Sequence, residues 1–225
     1  QAPSNSVSTR VGPVLASDIG VKIIITGTGG HAAFPHLGSD PILCAANVIT
    51  SMQQIVSRNT DPLDSLVVSL TQVHGGTTHN IIPSSVEITG TIRFLQDSTG
   101  EMAKSRVKEI AESIAIAHNC SAEVTLTHGY PVTRNDKHAV AQFFEIAAQV
   151  LPKEHVTEFP APVMGGEDFS YYCKEVPSCF FMLGLLPEGQ EQMPSLHQPD
   201  FDFNDDVIAR GIKMFCELAL RYSGS

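Results

Sequence analysis

Three glycine-bearing motifs hold the residue types that could do chemistry. The first is Gly27-Thr-Gly-Gly-His31-Ala-Ala-Phe-Pro35-His36. A histidine in a tight glycine turn can donate a hydrogen bond to a developing oxyanion; the plainer reading is a surface turn. No GxGxxG runs directly into a helix and no GKS/T occurs, so a phosphate cradle is unsupported. The second is Gly75-Gly-Thr-Thr-His79-Asn80-Ile-Ile-Pro83. Asn80 could offer its amide to a substrate carbonyl, or simply form a turn before a strand. Farther on, Arg93 could clamp a carboxylate with two parallel bonds, or pair across strands with Glu87 or Glu123. The third, Met164-Gly165-Gly166-Glu167-Asp168, joins a glycine pair to two acids. These acids suit acid–base chemistry, or a helix N-terminus, the reading that leads here.

Nine histidines invite a metal reading. A catalytic zinc site draws three protein ligands to one point, yet HExxH, HxH and CxxC are all absent from the sequence. His118, His138 and His155 fall at helix ends or in loops, where a solvated or capping role suffices. Five cysteines, Cys44, Cys120, Cys173, Cys179 and Cys216, are odd in number and widely spread. They read as free thiols, which favours a reducing, cytoplasmic compartment. A net charge of −10 argues against nucleic acid as a partner. No apolar run approaches the roughly 18 residues of a membrane span. The polar start at Gln1, without an initiating Met, predicts an internal start of a longer chain.

These motifs must be positioned by regular elements. Val21, Ile23 and Ile25 alternate as on a strand. A helix is predicted from about Asp40, with Ile42, Ala45, Ile49, Met52 and Val56 at helical spacing and Pro41 in the first turn. Strands follow over 66–73 and 86–94. A helix over 99–117 carries a capping box, Ser98 with Glu101, and a strand over 122–127 closes the pattern. The order βαββαβ is ferredoxin-like, with one apolar sheet face for the helices and one polar face left free. Beyond it lie a predicted helix over 137–151, a short helix over 168–174, a buried strand over 179–185 and a last helix over 204–222. Val207, Ile208, Ile212, Phe215 and Leu218 give that last helix its apolar positions. This second part holds too little sheet for an independent α/β domain.

In order, the segments GTGGHAAFPH, SRNTDPLDSLVVS, GGTTHNIIPSSVEITGTIRF, PVMGGEDFSYY and LHQP resemble the aminoacylase/carboxypeptidase superfamily of dinuclear metallo-hydrolases. The nearest branch is that of indole-acetyl-amino-acid hydrolases, hippurate hydrolases and N-acyl-amino-acid amidohydrolases. The resemblance implies an α/β (α+β) fold: a ferredoxin-like lid inserted into a metallopeptidase catalytic domain that is only partly present. The implied division is a lead-in segment of the catalytic domain over 1–18, the lid and dimerisation domain over 19–128, and the C-terminal part of the catalytic domain over 129–225.

By the same resemblance, His31 is the catalytic lid histidine that reaches a partner's active site to stabilise the tetrahedral transition state. Asn80 and Arg93 bind substrate, Arg93 through its carboxylate and again across the dimer, and Gly165 and Gly166 line the pocket. His197, in LHQP, is the last metal ligand. The parent would hold two divalent ions (Zn, Mn, Co or Ni) and hydrolyse an N-acyl amino acid or peptide-like amide as a homodimer joined through the lid. The remaining metal ligands and the general base would come from an N-terminal half. This chain alone is therefore expected to bind no metal tightly, to be inactive, and to leave apolar surface on its second part uncovered. The alternative is a non-catalytic, lid-like dimerisation or ligand-binding module.

Overall fold

A computed structural model describes residues 2–222. Along the chain the elements are β1 (Val7–Thr9), β2 (Gly12–Leu15), β3 (Ser17–Thr26), β4 (Gly30–His31), α1 (Pro41–Gln54), β5 (Leu66–Gly75), β6 (Ile81–Ile82), β7 (Ser85–Phe94), α2 (Asp97–Ala117) and β8 (Ser121–His128). They continue as β9 (Thr133–Asn135), α3 (Lys137–Val150), β10 (Val156–Glu158), α4 (Tyr172–Glu175), β11 (Met182–Leu183) and α5 (Ile208–Arg221). The chain divides into two compact units. One comprises 15–132 with 164–168, and the other 1–14, 133–163 and 169–225.

In the first unit the four long strands form an antiparallel sheet in the order β5-β7-β3-β8. With α1 and α2 this is the expected ferredoxin-like arrangement. Alternation decides the faces: Ile19, Val21, Ile23 and Ile25 of β3 and Val86, Ile88, Ile92 and Phe94 of β7 turn into one core with both helices. Removing a side chain such as Ile23 from water contributes about 2 kcal/mol. On the other face, Lys22 pairs with Glu87 at 2.7 Å, so the arginine's expected partner is already engaged elsewhere.

Local chemistry sets the helix ends. Asp40 Oδ1 accepts from the N–H of Ile42 and Leu43 at 2.8 and 3.2 Å, with Pro41 next in the chain. The buried stripe of α1 is Cys44, Ala45, Val48 and Met52, continued by Ile55; Ile42 and Val56, expected on it, are exposed. Two small residues, Cys44 and Ala45, let the helix approach the sheet closely, and Ile42 falls on the other side of the helix. The Ser98–Glu101 capping box does not form. The helix begins earlier, at Asp97, with no side-chain cap. Ser98 is therefore already helical, and Glu101 pairs with Lys104 instead.

The second unit has more sheet than expected, although in short pieces. β1, within the stretch read as a lead-in segment, pairs with β10 in parallel and with β11 antiparallel, and β2 pairs with β9. The strand expected over 179–185 is reduced to Met182–Leu183. At its start the cause is Asn135, whose side chain accepts the Phe180 N–H at 2.7 Å and donates to the Phe180 carbonyl at 2.8 Å. An amide side chain thus takes the place of a strand neighbour. Asp136 caps α3 through the N–H of His138 and Ala139. The Ala139 N–H, first among its causes, holds the Asp136 carboxyl below its usual range.

Phe143, Ala147, Met214 and Val7 form this unit's core. The predicted stripe of the last helix is only partly buried: Val207 is enclosed, but Ile208, Ile212 and Phe215 are 46%, 59% and 63% exposed. Uncovered apolar surface was expected of this part, and α5 carries it. No helix among the described residues is long and apolar enough to cross a membrane.

Candidate functional site

His31 and Asn80 are brought together. Gly30 and His31 of β4 pair with Ile82 and Ile81 of β6, and the Ala32 N–H donates to the Asn80 carbonyl at 3.0 Å. This short ladder requires glycine at position 29, where φ is +61° and a Cβ would stand 2.6 Å from the Ile82 carbonyl oxygen. Both side chains are exposed. Nδ1 of His31 accepts the Ala33 N–H at 3.0 Å. In the neutral ring the proton then belongs on Nε2, which faces away as a donor. The Thr78 hydroxyl donates to Asn80 Oδ1 at 3.1 Å, which leaves the Nδ2 amide as the second donor. The pair thus offers two N–H groups of the kind that stabilise an oxyanion or hold a carbonyl.

Arg93 and the glycine pair form a second group. Arg93 Nη1 donates to the Met164 carbonyl at 3.2 Å, and Nη2 lies 3.3 Å from Asp18 Oδ1. The next residue, Gly165, accepts the Ala16 N–H at 2.8 Å. A Cβ on Gly166 would stand 3.2 Å from the Tyr130 ring and 3.5 Å from Asp18 Cβ. Arg93 therefore pairs with Asp18 rather than with Glu87 or Glu123. Antiparallel register puts Asp18 opposite Arg93. By sequence Asp18 fell in the lead-in segment over 1–18, whereas β3 already begins at Ser17, and nothing in the residue pattern set the register. Glu167 accepts the N–H of Asp168, which opens a short 3-10 turn, so these acids behave as the helix-start reading has them.

The two groups lie at opposite ends of one sheet. Asp18 and Arg93 face each other near the start of β3, whereas His31 and Asn80 lie beyond its far end, where Thr26 meets Ser85. Eight residues of strand separate those ends, roughly 25 Å at the usual rise.

His197, in the other unit, is exposed and has φ +70°. A left-handed backbone costs a non-glycine residue roughly 1–2 kcal/mol, and here it is part of a turn in which Gln198 N–H donates to the Ser195 carbonyl. Among the described residues, no three of His, Cys, Asp and Glu come together to hold an ion. The set falls short of the three ligands of a catalytic zinc site; His197 can contribute one donor at most.

Residues 17–119 match the model of a peptidase dimerisation domain. The chain is 39% identical to IAA-amino acid hydrolase ILR1-like 2 of Arabidopsis thaliana, over 98% of this chain and 50% of that protein. It is 38% identical to an N-acetyldiaminopimelate deacetylase of Enterococcus faecalis, over 94% of this chain and 54% of the relative. A solved structure, the Bacillus subtilis YXEP protein, described as a dinuclear metal-binding peptidase of the M20 family, superposes with a TM-score of 0.78 at 26% identity. It covers 98% of this chain, which in turn covers 54% of it. The chain belongs to the M20 peptidase family. The dimerisation-domain match of this M20 chain contains His31, Asn80 and Arg93 and excludes Gly165, Gly166 and His197. The chain spans about half the length of the curated relatives it matches.

Proposed function

We propose that this M20 chain supplies the lid and part of the catalytic domain of a metal-dependent amidohydrolase. The enzyme hydrolyses the amide bond of N-acyl amino acids or related small peptides. The carrying observation is the separation of the two groups within one lid. An N-acyl amino acid has its carboxylate a few bonds from the scissile carbonyl, so it cannot span roughly 25 Å of sheet. Arg93 of one copy and His31 with Asn80 of the same copy therefore serve different substrates. Two copies related by a two-fold axis resolve this: one copy's Arg93 group and its partner's His31 group meet at one substrate, and each dimer has two such places.

In that arrangement Arg93 holds the carboxylate, with Gly165 and Gly166 leaving room beside it. The Nε2–H of His31 and the Asn80 amide stabilise the oxygen that gains charge as the carbonyl becomes tetrahedral. His197 supplies one metal ligand. Because the other ligands are not among the described residues, the chain alone should bind no divalent ion tightly and hydrolyse nothing.

The test mixes two strongly impaired variants, His31→Ala and Arg93→Ala, in a chain of the relatives' full length carrying this sequence. Random pairing makes half of the dimers hybrids, and each hybrid has one intact site, so activity returns to about a quarter of wild type. No recovery on mixing, with hybrid dimers demonstrated by mass, would place both residues in one copy's site and defeat the proposal.

A further inference from the structure

The substrate-carboxylate role given to Arg93 leaves a question of geometry: what aims the guanidinium. β3 and β7 set Asp18 directly opposite Arg93. Thr91, two residues before Arg93 and so on the same sheet face, donates its hydroxyl to Asp18 Oδ1 at 2.9 Å. That oxygen is the one 3.3 Å from Arg93 Nη2. The Asp18 backbone is held on both sides, its N–H by the Tyr130 carbonyl and its carbonyl by the Gly129 N–H, each at 2.9 Å. Glycine at 129 keeps the slot open, since a Cβ there would stand 2.9 Å from the Asp18 carbonyl oxygen and 3.1 Å from Oδ2.

Asp18 and Arg93 are each about 30% exposed at the side chain, so as a surface ion pair they contribute little to stability. The pair's value is directional. The Met164 carbonyl accepts from Nη1 and the Asp18 carboxylate draws Nη2 toward itself as an ion pair; together they orient the guanidinium plane and leave other N–H groups for a ligand. We infer that Asp18 is a positioning residue: it aims the free edge of Arg93 at the substrate carboxylate. This rests on the reading of Arg93 above.

The experiment compares an N-acyl amino acid with its C-terminal methylamide in the full-length dimeric enzyme. Asp18→Ala should raise KM for the acid about tenfold, the size expected for a charged hydrogen bond's contribution, with kcat within about twofold because the contact is the same in ground and transition states. KM for the methylamide should not move, whereas a merely structural defect would raise both. Asp18→Asn keeps the acceptor oxygen and the fold, and should restore most of the acid's KM. Arg93→Ala separates the two ideas. If Arg93→Ala abolishes the preference for the acid while Asp18→Ala and Asp18→Asn both match wild type, the positioning role of Asp18 is overturned alone. If Arg93→Ala leaves the preference intact, the carboxylate reading of Arg93 falls and this inference with it.

Discussion

The backbone N–H of Ala33 points at Nδ1 of His31, 3.0 Å away, so a residue two places along the chain selects the tautomer of the lid histidine. A neutral imidazole has one donor and one acceptor nitrogen. With Nδ1 committed as acceptor, Nε2 carries the proton.

The first prediction concerns that proton. In a long-range 1H–15N correlation spectrum recorded at alkaline pH, His31 should show the Nε2–H pattern. Ala33→Pro deletes the donor and should shift the ring toward a mixture. In the full-length enzyme, His31→Ala should lower kcat by a factor of about 10²–10³, as for loss of one oxyanion donor, with KM changed far less. A protonated Nδ1 in the neutral ring would refute the assignment.

The second prediction tests the sheet that separates the two groups. β5 and β7 shift register between Leu70 and Gln72, and Gly90 of β7 sits against that irregularity. A Cβ at Gly90 would lie 2.1 Å from the Ser69 carbonyl oxygen and 2.8 Å from Leu70 Cα. Both are backbone atoms that cannot step aside, so Gly90→Ala should destabilise the unit by about 2–3 kcal/mol. At Gly20 the nearest atom to an added Cβ is 3.7 Å away, an ordinary contact, and Gly20→Ala should be neutral or stabilising by about 0.5–1 kcal/mol. Urea titrations of the two variants should diverge in midpoint; equal midpoints would mean that the irregularity imposes no steric limit.

What the sequence disclosed follows from how local each signal is. The alternation of Val21, Ile23 and Ile25 and the helix start at about Asp40 with Pro41 in the first turn are decided by neighbours in the chain, and both appear as expected. His31 and Asn80 stood out because glycine turns and polar loop residues mark themselves. Asp18 did not, because its importance comes from a residue across the sheet, and strand register depends on pairing that no short stretch encodes. The missing start of the strand expected over 179–185 has a similar origin: Asn135, remote in sequence, occupies the backbone groups of Phe180. On α1, the sequence predicted the stripe of Ile42, Ala45, Ile49, Met52 and Val56, and packing against the sheet kept Ala45 and Met52 while turning in Cys44 and Val48 instead of Ile42 and Val56.

The third prediction uses the thiols. Burial first, and the neighbouring Cys120 second, push the Cys44 thiol up to about 11; burial likewise pushes Cys179 up to about 11. At neutral pH both are held as unreactive thiols, while Cys216 on α5 is exposed. Brief alkylation of the native protein, read by peptide mass, should label Cys216 first and Cys44 and Cys179 last. The sign of the pH effect follows from linkage. A thiol whose folded value lies above the ordinary 9.0 keeps its proton longer in the native state than in the unfolded chain. Its contribution to stability is complete below about pH 9 and is lost as pH rises toward 11. Cys44→Ala and Cys179→Ala should each flatten that alkaline decline in a denaturation series from pH 8 to pH 11, even where the lost packing lowers stability at pH 8. A decline of unchanged steepness in both variants would show that other groups drive it.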